Sequence, residues 1–294
     1  MWNKLLPAVI ISVAVIALLI GAFLFVNRPQ LVAIDAPLPL DFPREGFSHS
    51  SFEVLLKKYV DAKGEVDYER WHETETDSRQ LDSYLAAVSR FSPDATPERF
   101  AKRSDALAYW LYAYNAHVIR SILQHWPLQS VTDVKAPIEA KTGFGFFYRQ
   151  RFLFGGTAYS LYAVENDKIR ATYEDPRIHF VLNCASASCP VLRPELPTGD
   201  ELEQLLQDST IDFVSDPNNV RVDHEHKQIV ISTIFKWFRS DFVNDLRRRG
   251  LPADNGVLDY IAGVAPESLQ ADLEAAAEYD IEYADYDWAI NTQD

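Results

Sequence analysis

The sequence has 294 residues, of which 47% are hydrophobic and 13% aromatic, and it contains no low-complexity tract or internal repeat. This composition is typical of a folded chain and excludes an intrinsically disordered protein. The formal net charge of −15 repels polyanions, so we expect neither nucleic acid nor a strongly anionic lipid surface as a partner.

An almost unbroken apolar run without charged residues extends from Pro7 to Val26. A helix of this length crosses roughly 30 Å of hydrocarbon, whereas the apolar core of a cleaved signal peptide usually has about 7–15 residues. We therefore predict a short cytoplasmic N-terminus at residues 1–6, an uncleaved transmembrane anchor at 7–26, and a linker at 27–46 that spaces the rest of the chain from the bilayer. The predicted location is the cell (inner) membrane, which the chain crosses once.

Residues 47–294 are predicted to form a single globular domain that faces the periplasm or the exterior. A capping box at Ser50 indicates a helix that ends near Ala62, and helical spacing returns at 78–89. The longest helical pattern, 104–124, carries a broad apolar face, so we expect it to form the central helix of the domain.

Alternation of apolar and polar residues begins at 148–154, and the following Gly155-Gly156 is a two-residue hairpin signal. Ser160 is the expected N-cap of a further helix. Residues 177–183 carry apolar side chains at every second position, which predicts another strand. The middle of the chain is therefore predicted to contain most of the strands.

The C-terminal third combines both kinds of pattern. It predicts a helix at 201–214, a hairpin formed by 220–222 and 228–231, an aromatic-rich helix at 234–248, and an extended stretch at 279–288. Helices at both ends of the domain, packed on a small and mostly antiparallel sheet, define an α+β fold.

The segment that can carry chemistry is a predicted strand with one histidine that leads into a loop of small residues between two cysteines. Small side chains leave backbone amides open to an oxyanion, His179 can act as a base, and Cys184, once deprotonated, can act as a nucleophile. The backbone must turn sharply after Asn183, because Cys184 would lie about 16 Å from His179 on a continuous strand.

Two polar residues in helical patterns complete the candidate site. Asn115 lies in the middle of the longest helical pattern, where asparagine has poor propensity, which indicates a specific hydrogen-bonding role. Glu165 follows an apolar turn and is placed to orient a histidine. The structural alternatives are that Asn115 holds a neighbouring loop and that Glu165 pairs with Arg170 or Arg177.

The two cysteines and the histidine also have structural interpretations. Cys184 and Cys189 are equally compatible with a disulfide in an exported protein, which would stabilise a short loop. His179 is compatible with a buried imidazole bonded to a backbone carbonyl. A metal site would need more ligands than two cysteines and one histidine, so we predict neither a metal nor another cofactor.

Five segments along the chain together resemble the family of proteins of unknown function DUF547, over about residues 50–245. These segments are 59–68, 109–116, 160–165, 175–190 and 234–238. The resemblance implies a family and not a reaction. A looser likeness to papain-like and transglutaminase-like enzymes implies a helix set against a small sheet, although their nucleophilic cysteine begins the central helix and this chain has none there.

Two functions follow from these observations. The first is a thiol-dependent envelope hydrolase or acyl transferase that acts on an amide or ester, with Cys184 as nucleophile, His179 as base, and Asn183, Glu165 or Asn115 as orienting residues. The alternative is a non-enzymatic envelope scaffold or binding module, in which a disulfide between the two cysteines locks the loop and aromatic residues bind a peptide or glycan. A metal-dependent hydrolase ranks third.

Overall fold

The computed structural model describes residues 2–293 of the chain, with side chains from residue 9 onward. Its helices and small mixed sheets confirm the α+β class. The helices are α1 (Trp2–Val26), α2 (Ser50–Tyr59), α3 (Tyr68–Glu73), α4 (Glu75–Arg90), α5 (Arg103–His125), α6 (Leu161–Ala163), α7 (Ala171–Tyr173), α8 (Glu201–Ser215), α9 (Thr233–Trp237), α10 (Arg239–Arg248), α11 (Val257–Val264) and α12 (Glu267–Ala275). The strands are β1 (Gln30–Leu31), β2 (Gln150–Phe154), β3 (Thr157–Tyr159), β4 (Val220–Asp223), β5 (Gln228–Ile231) and β6 (Asp280–Tyr283).

Helix α1 is long and apolar enough to cross a membrane. Its window Val9–Val26 has a mean hydropathy of 3.1, and none of this window is buried by the rest of the protein. A signal sequence near an N-terminus passes the same test of length and composition, so the helix by itself establishes only the capacity to span a bilayer.

The segment after α1 packs against the domain, whereas we expected it to stand apart as a spacer. Strand β1 pairs in parallel with β2, and the Val32 amide donates to the Arg151 carbonyl at 2.8 Å. Further along, the ring of Phe42 stacks on Phe91 with centroids 5.5 Å apart. Val32 is buried and Ile34 is partly buried against the domain, which removes their apolar surface from water, whereas Leu31 and Leu40 remain exposed.

Helix α5 is the central helix, as its apolar pattern predicts. Nearly all of its residues from Leu107 to Leu123 are buried, and it packs against α4 and α8. It belongs to the first of two hydrophobic cores, which also contains α2, α4 and the β2–β3 hairpin. The second core surrounds Phe235 and Phe242 and contains residues of β4, β5 and the helices from α8 onward.

The structure has two small sheets, whereas the sequence predicted one that was mostly antiparallel. In the first sheet β2 pairs antiparallel with β3 through the predicted Gly155-Gly156 turn, and β1 adds in parallel. In the second sheet β4 and β5 form the predicted hairpin, and β6 adds in parallel. Both parallel partners come from distant parts of the chain, which local alternation does not reveal.

The predicted strand at 177–183 is wrong, because Pro176–Phe180 forms a 3₁₀ turn. The Asp175 carboxylate accepts the Arg177 amide at 3.0 Å, which begins the turn, and Pro176 has no amide hydrogen to donate to a strand. The alternating apolar residues are buried in different places, since Ile178 belongs to the first core and Phe180 to the second. This turn therefore links the two cores.

Candidate functional site

A cavity of about 520 Å³ is lined by Leu182 of the first core and Ile234 of the second. Its volume is within the range of small-molecule sites. Eight of its 19 lining residues carry aromatic rings, so we call it the aromatic cavity. These rings are Tyr114, Phe147, Tyr148, Tyr162, Trp237, Phe238, Tyr286 and Trp288. The ionisable groups in the wall include Lys141, Glu165, Arg170 and His179.

His179 lies in the wall of the aromatic cavity, where the 3₁₀ turn places it. Its ring stacks on Phe238 with centroids 3.8 Å apart, and its Nε2 atom is 2.9 Å from Oδ2 of Asp241. The break between α9 and α10 at Phe238 allows this stacking. Burial lowers the pKa of His179, although Asp241 opposes this effect, so the imidazole is neutral near pH 7.

Asp241 is held as a carboxylate by two neighbours. Burial would raise the pKa of Asp241, but hydrogen bonds from His179 and Arg170 outweigh it and lower the pKa well below the usual range. Arg170 donates through Nε to Oδ2 at 2.7 Å and through Nη2 to Oδ1 at 3.0 Å. Because the carboxylate only accepts, Nε2 of His179 must carry the proton, and Nδ1 is left as the basic nitrogen.

Glu165 is a second acid–base group in the same wall. It lies in the π-helix Val164–Arg170, which follows the predicted N-cap Ser160. Burial raises the pKa of Glu165 to about 7, partly opposed by Arg170 and reinforced by Asp241. The predicted alternative pairing is not formed, since Arg170 binds Asp241 and Arg177 binds Asp175 and Glu203.

The chain bends sharply after Asn183, as a shared site with His179 requires. Ala185 has a φ of 64°, and its amide donates to Oδ1 of Asn183 at 2.8 Å. Cys184 consequently lines the aromatic cavity together with His179. Cys184 and Cys189 form a disulfide with Cα atoms 6.2 Å apart, so neither sulfur is a free thiol in this structure.

Asn115 and Asn183 hold the cysteine loop, which comprises residues 183–190. Asn115 donates to the Val181 carbonyl at 3.0 Å and accepts the Asn183 amide at 2.9 Å. Asn183 donates to the Pro190 carbonyl at 2.8 Å, which closes the loop. Both side chains are buried and use their polar atoms on the loop backbone, so they position the cysteines and are not part of the cavity wall.

Two further groups complete the site and were missed by the sequence analysis. Asp241 fixes the imidazole, and Tyr286 places its hydroxyl 3.2 Å from the sulfurs of both cysteines and 2.7 Å from Ser186. Burial raises the pKa of Tyr286 to about 12, so the hydroxyl is a donor near neutral pH. Only the aromatic segment 234–238 pointed toward this region, because neither Asp241 nor Tyr286 belongs to a local motif.

The donor atoms of the site do not suit a metal. Among residues 9–293, no group of three or more His, Cys, Asp or Glu side chains has the arrangement of a metal site. The two sulfurs are bonded to each other, and Nε2 of His179 is bound to Asp241.

A family described as protein of unknown function, DUF547, matches residues 98–214, which confirms the resemblance of the motifs. The matched region contains α5, Glu165, His179 and the cysteine loop, whereas Asp241 and Tyr286 lie beyond it. No curated protein and no solved structure gives a significant match to the chain. The loose likeness to papain-like and transglutaminase-like enzymes therefore stays a prediction.

Proposed function

We propose that this protein is a membrane-anchored envelope enzyme that hydrolyses or transfers the acyl group of an ester or amide in the aromatic cavity. One observation carries this proposal: His179, Glu165 and Cys184 line the same cavity, and Asp241 fixes the imidazole. A base, an acid and a nucleophile in one partly enclosed space are the groups that acyl transfer needs.

Contacts at the end of α1 support a retained anchor rather than a cleaved signal sequence. The Asn27 side chain donates to the Ile138 carbonyl and accepts the Ile138 amide, both at 3.1 Å. Within the helix, the ring of Phe23 lies 6.2 Å from that of Phe144. Cleavage near the end of the helix would remove these contacts. The disulfide supports an oxidising compartment, hence the periplasm or the exterior.

His179 is the proposed general base. Asp241 fixes Nε2 as the protonated nitrogen, which leaves the lone pair of Nδ1 to accept a proton. No group in the part of the chain that the structure describes forms a hydrogen bond with Nδ1. The lowered pKa of His179 keeps the ring neutral and available as a base near pH 7.

Cys184 is the proposed nucleophile, and the disulfide is its resting oxidised form. A dithiol reduces the disulfide to two thiols and is itself oxidised to a disulfide. His179 then removes the proton from the Cys184 thiol, and the thiolate attacks the carbonyl carbon. The C–O or C–N bond breaks, the acyl group remains on sulfur, and water or an acceptor alcohol or amine then cleaves the C–S bond and regenerates the thiol.

Glu165 is the proposed acid for the leaving group. With a pKa of about 7, the carboxyl is about half protonated near neutral pH and can give its proton to the departing alcohol or amine. In the second step the Glu165 carboxylate takes a proton from the water, alcohol or amine that attacks the thioester, and His179 returns its proton to the Cys184 sulfur as the C–S bond breaks. Glu165 and His179 thus share the acid and base roles.

The second candidate function is a binding module without catalysis, and the disulfide favours it. In this function the Cys184–Cys189 bond permanently fixes the cysteine loop, and the rings of the cavity bind a peptide or a glycan. The two functions differ in what reduction does. An enzyme gains a reactive thiol beside His179, whereas a binding module gains nothing from a reduced loop.

The deciding experiment measures the alkylation of Cys184 by iodoacetamide in the full chain before and after reduction with a dithiol. Before reduction we expect no reaction. After reduction we expect the wild type to react at pH 7, and His179→Gln to react about tenfold or more slowly than the wild type, because the base is lost. The matched control is His226→Gln, since His226 also contacts an aspartate, at 2.8 Å, but lies exposed on the β4–β5 hairpin.

Two results would contradict the proposal of an enzyme. The first is a disulfide that resists reduction in the folded protein. The second is an alkylation rate in reduced protein that is the same for the wild type, His179→Gln and His226→Gln. Either result would leave the binding module as the remaining candidate.

A further inference from the structure

We infer that the ligand of the aromatic cavity comes from the bilayer, as an amphiphile with apolar chains and an anionic phosphate headgroup. This inference rests on the proposed function, because it requires α1 to remain in the membrane. The observations that carry it concern residues 135–151, which we call the bridging segment because it contacts both α1 and the cavity.

The bridging segment is fixed to the end of the membrane helix. Asn27, directly after α1, makes its two hydrogen bonds to the backbone of Ile138, and Phe144 contacts Phe23 of the helix. Further on, Arg149 donates to the Gln30 side chain at 2.8 Å. The segment therefore lies where the apolar helix leaves the hydrocarbon.

The same segment forms one wall of the aromatic cavity, through Lys141, Phe147 and Tyr148 among others. Lys141 is three residues from Ile138, so the two can be separated by at most about 11 Å. The headgroup layer of a bilayer is about 5–8 Å thick on each side of the hydrocarbon. This wall of the cavity is therefore at or just above the depth of lipid headgroups.

Glu139 makes the bridging segment a defined structure. Its carboxylate accepts the amides of Ala136 at 2.8 Å, Phe144 at 3.1 Å and Gly145 at 3.3 Å. Gly145 has no space for a side chain, because a Cβ atom would lie 2.1 Å from the Val134 carbonyl oxygen. The segment's only carboxylate is thus occupied by backbone amides.

The charge of the bridging segment is opposite to that of the whole chain. It contains four basic residues, Lys135, Lys141, Arg149 and Arg151, against Glu139, whereas the chain has a net charge of −15. Basic residues near a membrane surface attract anionic headgroups. The bridging segment therefore departs from the net negative charge on which the expected repulsion of anionic lipid was based.

Aromatic residues at the cavity are typical of the membrane interface. Tyr162 is 43% exposed and Trp237 is 46% exposed, and both line the cavity. Tyrosine and tryptophan favour the headgroup region because their rings are apolar and carry a polar atom. Lys141 has no acidic partner in the part of the chain that the structure describes, and its Nζ lies 3.6 Å from the centroid of the Tyr148 ring. It is placed to meet a phosphate.

The test uses the full chain in phosphatidylcholine nanodiscs that contain increasing fractions of phosphatidylglycerol with brominated acyl chains. Bromine quenches nearby tryptophan, and the difference between wild type and Trp237→Phe isolates the signal of the cavity. We expect this difference signal to fall as brominated phosphatidylglycerol increases. It should fall much less with brominated phosphatidylcholine at the same fraction.

Charge reversal provides the matched comparison. We expect Lys141→Glu to raise the fraction of phosphatidylglycerol needed for half quenching by about fivefold. Arg221→Glu, an equal reversal at an exposed position on β4, should leave it unchanged. A difference signal that no brominated lipid quenches, or that Lys141→Glu and Arg221→Glu alter equally, would overturn the inference.

This test separates the failure of the inference from the failure of the proposed function. The mass of the protein purified from membranes reports whether α1 is retained. Quenching does not depend on thiol chemistry. If lipid quenches the signal but alkylation does not depend on His179, the inference is supported and the proposal of an enzyme fails. If alkylation depends on His179 but no quenching occurs, the enzyme is supported and the inference of a lipid ligand fails.

Discussion

Two histidine–aspartate pairs with nearly equal distances between their polar atoms lie in different surroundings in this protein. His179 and Asp241 are 2.9 Å apart in the wall of the aromatic cavity, whereas His226 and Asp223 are 2.8 Å apart on the exposed β4–β5 hairpin. Only the first pair has a buried imidazole and an arginine bound to its carboxylate. A short histidine–aspartate distance alone therefore does not make a functional pair, because solvent screens the charges of the exposed pair.

The largest expected effect comes from Asp241→Asn. Asparagine has no charge to neutralise Arg170, and its amide can donate to Nε2 of His179 as well as accept from it. The tautomer is therefore no longer fixed, and the alkylation rate of reduced Cys184 should fall by up to about tenfold, as in His179→Gln. Stability should fall by about 1–3 kcal/mol, because a partly buried charge loses its partner. Asp223→Asn on the hairpin is the control for both measurements. Equal effects of the two substitutions would remove the distinction between the pairs.

Asn115→Ala should destabilise the protein through the loop that carries the cysteines. Two buried backbone groups, the Val181 carbonyl and the Asn183 amide, lose their partner, which costs about 2 kcal/mol. Urea unfolding in detergent micelles measures this loss. Asn218→Ala in an exposed turn before β4 is the matched control, and we expect it to be nearly neutral. A neutral Asn115→Ala would show that the loop holds its position without the helix.

Glu165→Gln should stabilise the protein at high pH. The folded protein holds the Glu165 proton up to a pKa of about 7, against an ordinary glutamate pKa of 4.5, so stability is lost as pH rises between these values. Glutamine avoids this loss, and we expect a gain of about 3 kcal/mol at pH 8 that disappears near pH 4. Glu225→Gln, at an exposed position on the hairpin, is the control. A gain in stability that does not change with pH would contradict the raised pKa of Glu165.

The smallest effect is expected for the hairpin pair itself. His226→Gln should change the free energy of unfolding by less than about 0.5 kcal/mol, because both partners are exposed and the gain from their contact is offset by side-chain ordering. Unfolding at low and high salt measures it. If His226→Gln lowered stability as much as Asp241→Asn, burial would not be the cause of the difference between the two pairs.

Local patterns in the sequence were sufficient for most helices and for both hairpins. The apolar face at 104–124 predicted α5, and the Gly155-Gly156 pair predicted the turn between β2 and β3. These signals are local because the hydrogen bonds of a helix or a tight turn join residues near each other in sequence. The same reasoning failed at 177–183, where alternating apolar residues reach two different cores from a 3₁₀ turn.

The candidate site was predictable only in part. His179, Cys184 and Glu165 belong to motifs in the sequence, and the structure brings all three to one cavity. Asp241 is 62 residues from His179, and Tyr286 is 102 residues from Cys184. No local spacing connects residues that meet through the packing of separate elements, so these two partners needed the fold.

The pairing of β1 with β2 also determines how far this protein can act. If residues 27–46 formed a flexible coil, the domain could move about 25 Å away from the end of α1. Because Gln30 and Leu31 are part of a sheet, that freedom is removed, and the domain stays beside the helix that holds it. If α1 stays in a bilayer, as we propose, the encounters of the domain occur by lateral diffusion in two dimensions with molecules of the same leaflet, and targets farther from that bilayer lie out of reach.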